Sequence, residues 1–312
     1  MEYLLLLIAC TFFSLQFIFQ KLFKSRTIGG LTVCFWNLTI CSAVSIMFLL
    51  IKSGLPREFN LTAFLWIVLY SASGIVCSLA SITAMGCGKV STVSTYCLIG
   101  GVIIPFLFGI GVLGESAGVM KWLAIVVLCL SLLPSFLKKE TNGIAETNKP
   151  KFALCCILVF LTNGLVSVFS KLHQISPGAI DEDSFILIGA MLRCAAALLI
   201  LTAFALLRRS KGEKGAFRAV FWEIGTRPMT PKQFILLILF AGTYAVCNTL
   251  GNLFSLRCMV TMDASIQFPL ISGVTIILSA VLGRVCFREK ISRDTWVSLI
   301  LSMAGIVLFM FS

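Results

Sequence analysis

Ten long apolar runs follow one another along the chain, and they limit the folds that it can adopt. They are Tyr3–Gln20, Leu31–Ile51, Leu61–Met85, Thr92–Leu113, Val119–Leu137, Phe152–Ser170, Ser184–Leu207, Gln233–Leu256, Ala264–Leu282 and Thr295–Phe311. Each run approaches the ~20 residues that a helix needs to cross the hydrocarbon core of a bilayer. Because the runs are long and lack the alternation typical of strands, they predict an all-α membrane protein with about ten transmembrane helices.

The composition agrees with lipid as the main solvent of the folded chain. Hydrophobic residues make up 59% of the sequence and charged residues 12%, whereas soluble domains contain about 25% charged residues. The net charge of +12 is scattered between the apolar runs, so it does not form the continuous basic face that a nucleic acid requires. We therefore expect a multi-pass protein of the cell membrane, with the lipid bilayer as a partner and no nucleic-acid partner.

Thirteen cysteines fall mostly inside the apolar runs. They form no CxxC pair and show no metal-ligand spacing with the single histidine, His173. This pattern predicts reduced cysteines that fill contacts between helices. It indicates neither a metal site nor another cofactor.

A polar segment, residues 138–151, divides the chain into halves that hold five apolar runs each. Its Asn, Gly and Pro residues are typical of a linker. The first run ends in FIFQKLF and the sixth in SVFSKLH, so Lys21 matches Lys171. Because five is odd, two such halves must cross the membrane in opposite directions. The sequence predicts an inverted five-plus-five repeat, with units at residues 1–137 and 152–312.

A second echo links residues 94–115, STYCLIGGVIIPFLFGIGVLGE, with residues 263–292, DASIQFPLISGVTIILSAVLGRVCFREKIS. We match Gly101 with Gly273, and the later copy then needs two extra residues before its glutamate, Glu289. Small residues let helices approach closely, and a proline loosens the helix that contains it. We therefore predict packing or hinge positions at Gly101, Pro105, Pro269 and Gly273.

The basic residues predict an orientation. Nineteen of the 25 Lys and Arg residues lie in loops at one face, five lie at the other, and Arg193 lies within an apolar run. The positive-inside rule places the richer face in the cytoplasm and therefore both termini outside. The longest of these basic loops, residues 208–232, contains apolar residues as well, and it fits either a helix lying on the membrane surface or a plain basic loop.

These features together resemble the EamA-like branch of the drug/metabolite transporter superfamily. The resemblance rests on the ten spans, the five-plus-five arrangement and the two stretches ending in LGE and FREKIS, and it covers nearly the whole chain. It implies that a small organic metabolite or drug passes through a central cavity lined by both repeats, with the fifth and tenth helices at the periphery. It also implies cytoplasmic termini, whereas the charge count places both termini outside, so both orientations stay open. The oligomeric state also stays open between a monomer and a homodimer.

Arg193 is the most costly polar residue within an apolar run. A central arginine costs about 2.5–3.5 kcal/mol on insertion scales. Two explanations are open: the side chain meets an anionic group of a substrate, or it reaches the interface or backbone carbonyls. Asn37 takes the similar place in the second run.

Other polar side chains in the runs are candidates for a substrate cavity. Several are four residues apart and therefore share one helix face. Such pairs also serve as hydrogen bonds between helices, worth about 0.6 kcal/mol each. The candidates besides Asn37 and Arg193 are Gln16, Gln20, Tyr96, Asn163, Ser167, Asn248, Asn252 and Gln267.

We predict a transporter that works by alternating access, as an exporter or a facilitator, and not an enzyme. No Asp or Glu lies deep in an apolar run, which weakens an obligatory exchange against protons. The alternative is an integral-membrane enzyme acting on a lipid-linked substrate. That chemistry asks for clustered acids or histidines, and the one cluster, residues 181–183 beside His173, fits a solvated acidic loop.

Overall fold

The computed structural model describes residues 2–26, 31–56, 60–112, 114, 118–137, 149–211, 220, 231–261, 264–288 and 293–311. These residues form ten helices and no strand. The helices are α1 Glu2–Ser25, α2 Leu31–Ser53, α3 Leu61–Cys87, α4 Val90–Gly111, α5 Val119–Leu137, α6 Lys149–Ile175, α7 Glu182–Ser210, α8 Pro231–Thr261, α9 Ala264–Phe287 and α10 Arg293–Met310. The predicted all-α architecture is confirmed.

Each predicted apolar run overlaps one helix, although the helices are mostly longer. Eight of them are long and apolar enough to cross a membrane, and α5 and α10 hold the shorter apolar segments Val119–Ser131 and Trp296–Leu308. The extensions carry polar residues, which continue a helix into the interface without adding to its apolar signal. For this reason α6 begins at Lys149, inside the predicted linker, whose residues 138–148 lie outside the described part of the chain.

The packing of the helices follows the two halves. Helix α1 packs on α8 and α9, and its counterpart α6 packs on α3 and α4. Helix α2 packs on its own counterpart α7, and α5 on its counterpart α10. The contacts of α1 with α8 and α9 thus recur between the counterparts of these helices, which are α6, α3 and α4, as an inverted repeat requires.

The bundle has two ends, which we name by their lysines. At the Lys52 end, the Lys52 ammonium lies 2.6 Å from Asp183 at the start of α7. At the Lys21 end, Lys21 Nζ donates a hydrogen bond of 3.2 Å to the carbonyl of Gly88, just after α3. These contacts fix which helix ends lie together.

Helices α4 and α6 cross at two glycines. A Cβ atom on Gly100 would overlap the carbonyl oxygen of Phe160, and one on Gly164 would overlap Ile104. Glycine is therefore required here, because the backbones of the two helices lie in contact. This crossing holds α6 against α4 beside the centre of the bundle.

The long loop between α7 and α8 mostly lies outside the described residues. Its Val220 is buried, and its carbonyl accepts a hydrogen bond of 3.0 Å from Trp36 Nε1. Whether the loop carries a surface helix stays a prediction.

Candidate functional site

A cavity of about 200 Å³ lies at the centre of the bundle. Helices α1, α3 and α4 of the first half line it together with their counterparts α6, α8 and α9, and α7 adds two residues. The lining comprises Phe13, Gln16, Phe17, Gln20, Tyr70, Gly74, Cys77, Ser78, Ser81, Cys97, Leu98, Gly101, Asn163, Val166, Ser167, Ser170, Phe185, Arg193, Tyr244, Asn248, Asn252, Ser255, Leu256, Ile271 and Ser272. Seven of the ten predicted cavity residues are among them.

The lining positions of α1 and α6 are equivalent in the two repeats. The match of Lys21 with Lys171 sets a spacing of 150 residues. With this spacing, the four lining residues of α1 correspond one by one to those of α6. The first set is Phe13, Gln16, Phe17 and Gln20, and the second is Asn163, Val166, Ser167 and Ser170.

A second spacing, of 174 residues, relates α3 to α8. It pairs Tyr70, Gly74, Ser78 and Ser81 with Tyr244, Asn248, Asn252 and Ser255, all of which line the cavity. The difference from the first spacing reflects the longer loop between α7 and α8. Both repeats therefore present the same helix faces to the cavity.

The same spacing relates α4 to α9 and corrects the sequence match. It pairs Cys97 and Leu98 with Ile271 and Ser272, all of which line the cavity. Gly101 then corresponds to Thr275, so its predicted match with Gly273 is two residues off. The surroundings agree: a Cβ on Gly101 would lie 2.9 Å from Asn163 Nδ2, whereas one on Gly273 would lie 3.2 Å from Ile306 of α10.

Arg193 projects into the cavity from the middle of α7. Its guanidinium carbon lies 5.5 Å from the centroid of the Tyr70 ring, within the range of a cation–π contact. A Cβ on Gly74 would lie 3.3 Å from Arg193 Nη1, so the glycine leaves room for the guanidinium. Among the described residues, Arg193 forms no hydrogen bond or ion pair with another side chain or a carbonyl.

Three amide side chains form a hydrogen-bonded group across the two repeats. Asn248 Nδ2 donates to Gln16 Oε1 at 2.6 Å, and Asn252 Nδ2 donates to the carbonyl of Asn248 at 2.7 Å. All three are partly buried and line the cavity. They join α1 to α8 and leave amide groups facing the cavity.

Asn163 and Ser167 stand on the α6 side of the cavity. Asn163 Nδ2 donates a hydrogen bond of 2.7 Å to the carbonyl of Cys97 on α4. Ser167 Oγ donates to the carbonyl of Asn163 at 3.2 Å. Asn163 is therefore held against α4, whereas Ser167 is held by the backbone of its own helix.

The cavity is closed toward the Lys21 end by buried hydrogen bonds. Ser81 Oγ donates to Gln20 Oε1 at 2.7 Å, and both residues are buried. Nearer this end, Ser94 Oγ and Ser279 Oγ lie 2.7 Å apart, and both are fully buried. These bonds tie α1 to α3 and α4 to α9.

Toward the Lys52 end the cavity adjoins a second one of about 260 Å³. The two cavities share Ser170, Phe185 and Leu256 in their linings. The second cavity reaches the turn between α6 and α7, where His173 Nε2 accepts a hydrogen bond of 3.3 Å from the amide of Ile180. The central cavity therefore extends toward this end of the bundle.

Three predicted cavity residues lie elsewhere or are not described in full. Asn37 is buried between helices, where its Oδ1 accepts from Cys41 Sγ at 3.4 Å and its Nδ2 has no partner among the described residues. Tyr96 is buried in the hydrophobic core with Val93 and Ile99. The side chain of Gln267 lies outside the described residues, as does that of Pro269, while Pro105 is half-buried inside α4.

Two of the three acidic residues near His173, Asp181 and Asp183, have structural partners. Asp181 caps α7 by accepting a hydrogen bond of 3.0 Å from the amide of Ser184. Asp183 pairs with Lys52 and also accepts a hydrogen bond from Ser53. These contacts join α2 to the start of α7 at the Lys52 end.

Sequence reasoning missed Tyr70, Gly74, Ser78 and Tyr244 in the lining. A tyrosine or serine in an apolar run is common, so none of these residues stands out alone. The spacing of 174 residues, which also relates Glu115 to Glu289, would have aligned the two tyrosines. The predicted match of Gly101 with Gly273 is two residues off, and it therefore hid the correspondence of the two tyrosines.

Comparisons with known proteins agree with this architecture. Residues 1–137 match the model of the EamA-like transporter family. A solved crystal structure of another protein superimposes with a TM-score of 0.52 over 96% of this chain and 95% of that chain, at 14% sequence identity, which shows a shared fold. No curated protein matches the chain.

The family match confirms the resemblance that the sequence indicated. The matched residues form helices α1 to α5, which are five of the ten described helices. The apolar helices provide the spans that a membrane protein needs. The chain is thus a multi-pass membrane protein, and its residues 1–137 match the EamA-like transporter family.

Proposed function

We propose that the protein is a secondary transporter of the cell membrane, which moves a small organic solute through the central cavity by alternating access. The observation that carries this proposal is that equivalent positions of the two repeats line one polar cavity. Transporters built from inverted repeats bind their substrates at the repeat interface, near the middle of the membrane.

The two ends of the cavity support this mechanism. The Lys21 end is closed by the Gln20–Ser81 and Ser94–Ser279 hydrogen bonds, and the Lys52 end adjoins the second cavity. In an inverted repeat, exchanging the conformations of the two halves opens the closed end and closes the open one. We infer that residues 1–137 and 152–312 are the units that rock against each other.

The charges in the cavity favour a facilitator, or an exporter driven by the solute gradient. Among the described lining residues, none is Asp or Glu. Proton-coupled transporters commonly titrate such a carboxylate within the membrane. Movement of the solute down its own gradient needs no such group.

The test is to fill the cavity in protein reconstituted into liposomes. Ser78→Trp places a large ring in the lining, whereas Ala72→Trp places the same ring on the exposed face of the same helix. Counterflow of a panel of labelled metabolites should be lost in the first variant and retained in the second. Equal flux in both variants would contradict a path through the cavity, and turnover of a lipid-linked substrate without solute flux would favour the enzyme.

A further inference from the structure

We propose that the cavity selects a small organic monoanion, and that Arg193 binds its carboxylate. This inference rests on the proposed transport function and names the class of solute. Its basis is one cationic side chain that faces the cavity without an anionic partner among the described residues.

The charge balance of the cavity is the first argument. Arg193 carries the one formal charge among the described lining residues. The contrast with the Lys52 end is clear, because Lys52 there has Asp183 at 2.6 Å. A charge inside the membrane normally pairs with another group or marks a substrate path. An anionic solute would supply the partner that the described residues do not.

The geometry around the guanidinium is the second argument. Arg193 Cζ lies over the Tyr70 ring, 5.5 Å from its centroid, and Nη1 lies beside Gly74, where a Cβ would be 3.3 Å away. The guanidinium has five N–H donors, and none of them forms a hydrogen bond with a described residue. These donors suit a carboxylate, which accepts two parallel hydrogen bonds from a guanidinium.

The size and single charge of the site restrict the anion. A cavity of about 200 Å³ is smaller than the roughly 300–1,000 Å³ of sites for drug-sized ligands. One guanidinium balances one negative charge, and a second negative charge would remain unpaired at low dielectric. The site therefore favours a carboxylate over a phosphate dianion, and a cationic drug would meet repulsion.

The amides define the rest of the solute. Gln16, Asn248 and Asn252 on one side, with Asn163 and Ser167 on the other, surround the cavity with donors and acceptors. Side chains of this kind fix the orientation of hydroxyl or amide groups. The expected substrate is a short carboxylate with further hydrogen-bonding groups.

Ligand-induced stabilisation of the purified protein tests the assignment. The probes are glycerate, its neutral amide glyceramide, the cation aminopropanediol and the dianion glycerol phosphate, which share a three-carbon frame. Native protein should bind glycerate most tightly. Arg193→Gln should lose on the order of 10- to 100-fold in glycerate affinity, as expected for charge-assisted hydrogen bonds, and keep its affinity for glyceramide.

Two further variants keep the test decisive. Arg257→Gln removes an exposed arginine of α8 that does not line the cavity, and it should bind glycerate as the native protein does. Arg193→Lys keeps the charge and loses the planar fork, so it should bind glycerate on the order of 10-fold more weakly. This variant decides the question if Arg193→Gln does not fold.

The contradictory outcomes separate the two proposals. Native protein that binds glyceramide, aminopropanediol or glycerol phosphate more tightly than glycerate would overturn the monoanion assignment and leave transport through the cavity standing. Unchanged glycerate affinity in either Arg193 variant would overturn the role of its guanidinium. Loss of solute flux with turnover of a lipid-linked substrate would overturn both proposals.

Discussion

The two repeats line the cavity at equivalent positions with different chemistry. On α3 the first repeat places Gly74 and Ser78, where the second places Asn248 and Asn252 on α8. On α1 the first repeat places Gln16, where the second places Val166 on α6. The symmetry of the fold thus fixes where a side chain stands, and the sequence of each repeat decides what it can bind. A cavity with such a difference can hold an asymmetric solute in one preferred orientation.

Helices α2 and α7 show the largest contrast. They pack on each other as counterparts, yet Asn37 of α2 is buried away from the cavity and Arg193 of α7 lines it. Among the described lining residues, the formal charge therefore comes from one repeat alone.

The largest effect is expected at the crossing of α4 and α6. Gly100→Leu should lower the free energy of unfolding by about 3 kcal/mol or prevent folding, because its side chain would overlap the Phe160 carbonyl. Gly111→Leu on the same helix is the control, since a Cβ there meets nothing within 4 Å. Thermal unfolding in detergent measures both. Equal stability of the two variants would mean that this crossing is not close-packed.

The equivalent crossing of α1 and α9 should respond differently. The spacings place Val274 where α4 has Gly100, and Cys10 where α6 has Phe160. At the crossing of α4 and α6 the larger residue lies on α6, whereas at this crossing the larger residue, Val274, lies on α9. Val274→Gly should therefore lower the free energy of unfolding by about 2 kcal/mol, because packing is lost. Thermal unfolding checks this, and a Val274→Gly variant more stable than the native protein would break the proposed equivalence.

The Tyr70 ring should couple energetically to Arg193. Tyr70→Leu removes the cation–π contact and should lower the free energy of unfolding by about 1 kcal/mol. Tyr70→Phe keeps an aromatic ring and should lower it by less. In the Arg193→Gln background the difference between the two variants should shrink. A double-mutant cycle of unfolding free energies measures this coupling. A coupling of zero would show that the Tyr70 ring does not stabilise the Arg193 side chain.

A smaller effect is expected for the amide pair that joins the repeats. The hydrogen bond between Asn248 and Gln16 should show a coupling of about 0.6 kcal/mol in a double-mutant cycle with Asn248→Ala and Gln16→Ala. Thermal unfolding of the four proteins gives the value. A coupling above ~2 kcal/mol would show that the pair is a main support of the fold and not chiefly a cavity surface.

Orientation can be tested without altering the folded protein. The charge count predicts that the end of α10 lies outside, so a C-terminal green fluorescent protein should stay dark and alkaline phosphatase should be active. The Lys52 end and its cavity would then face the outside. The reverse result would favour the orientation that the family resemblance implies.

The sequence predicted the architecture well because hydrophobic length and repeat count are direct consequences of the bilayer. The match of Lys21 with Lys171 was sufficient to relate the lining of α1 to that of α6. Gly273 misled the second register, since glycines recur along a packed helix and one is easily taken for another. Asn37 and Tyr96 show a second limit of prediction from sequence. The sequence indicates how deep in the membrane a polar residue lies, but the packing of the helices determines whether its side chain faces the cavity.

Solute flux through reconstituted protein tests the central claim most directly. Labelled glycerate and glyceramide are supplied together to liposomes that contain native protein, Arg193→Gln or Arg257→Gln. We expect native protein and Arg257→Gln to prefer glycerate, and Arg193→Gln to lose this preference while it still carries glyceramide. A glycerate preference that survives in Arg193→Gln would contradict transport of an anion bound by Arg193.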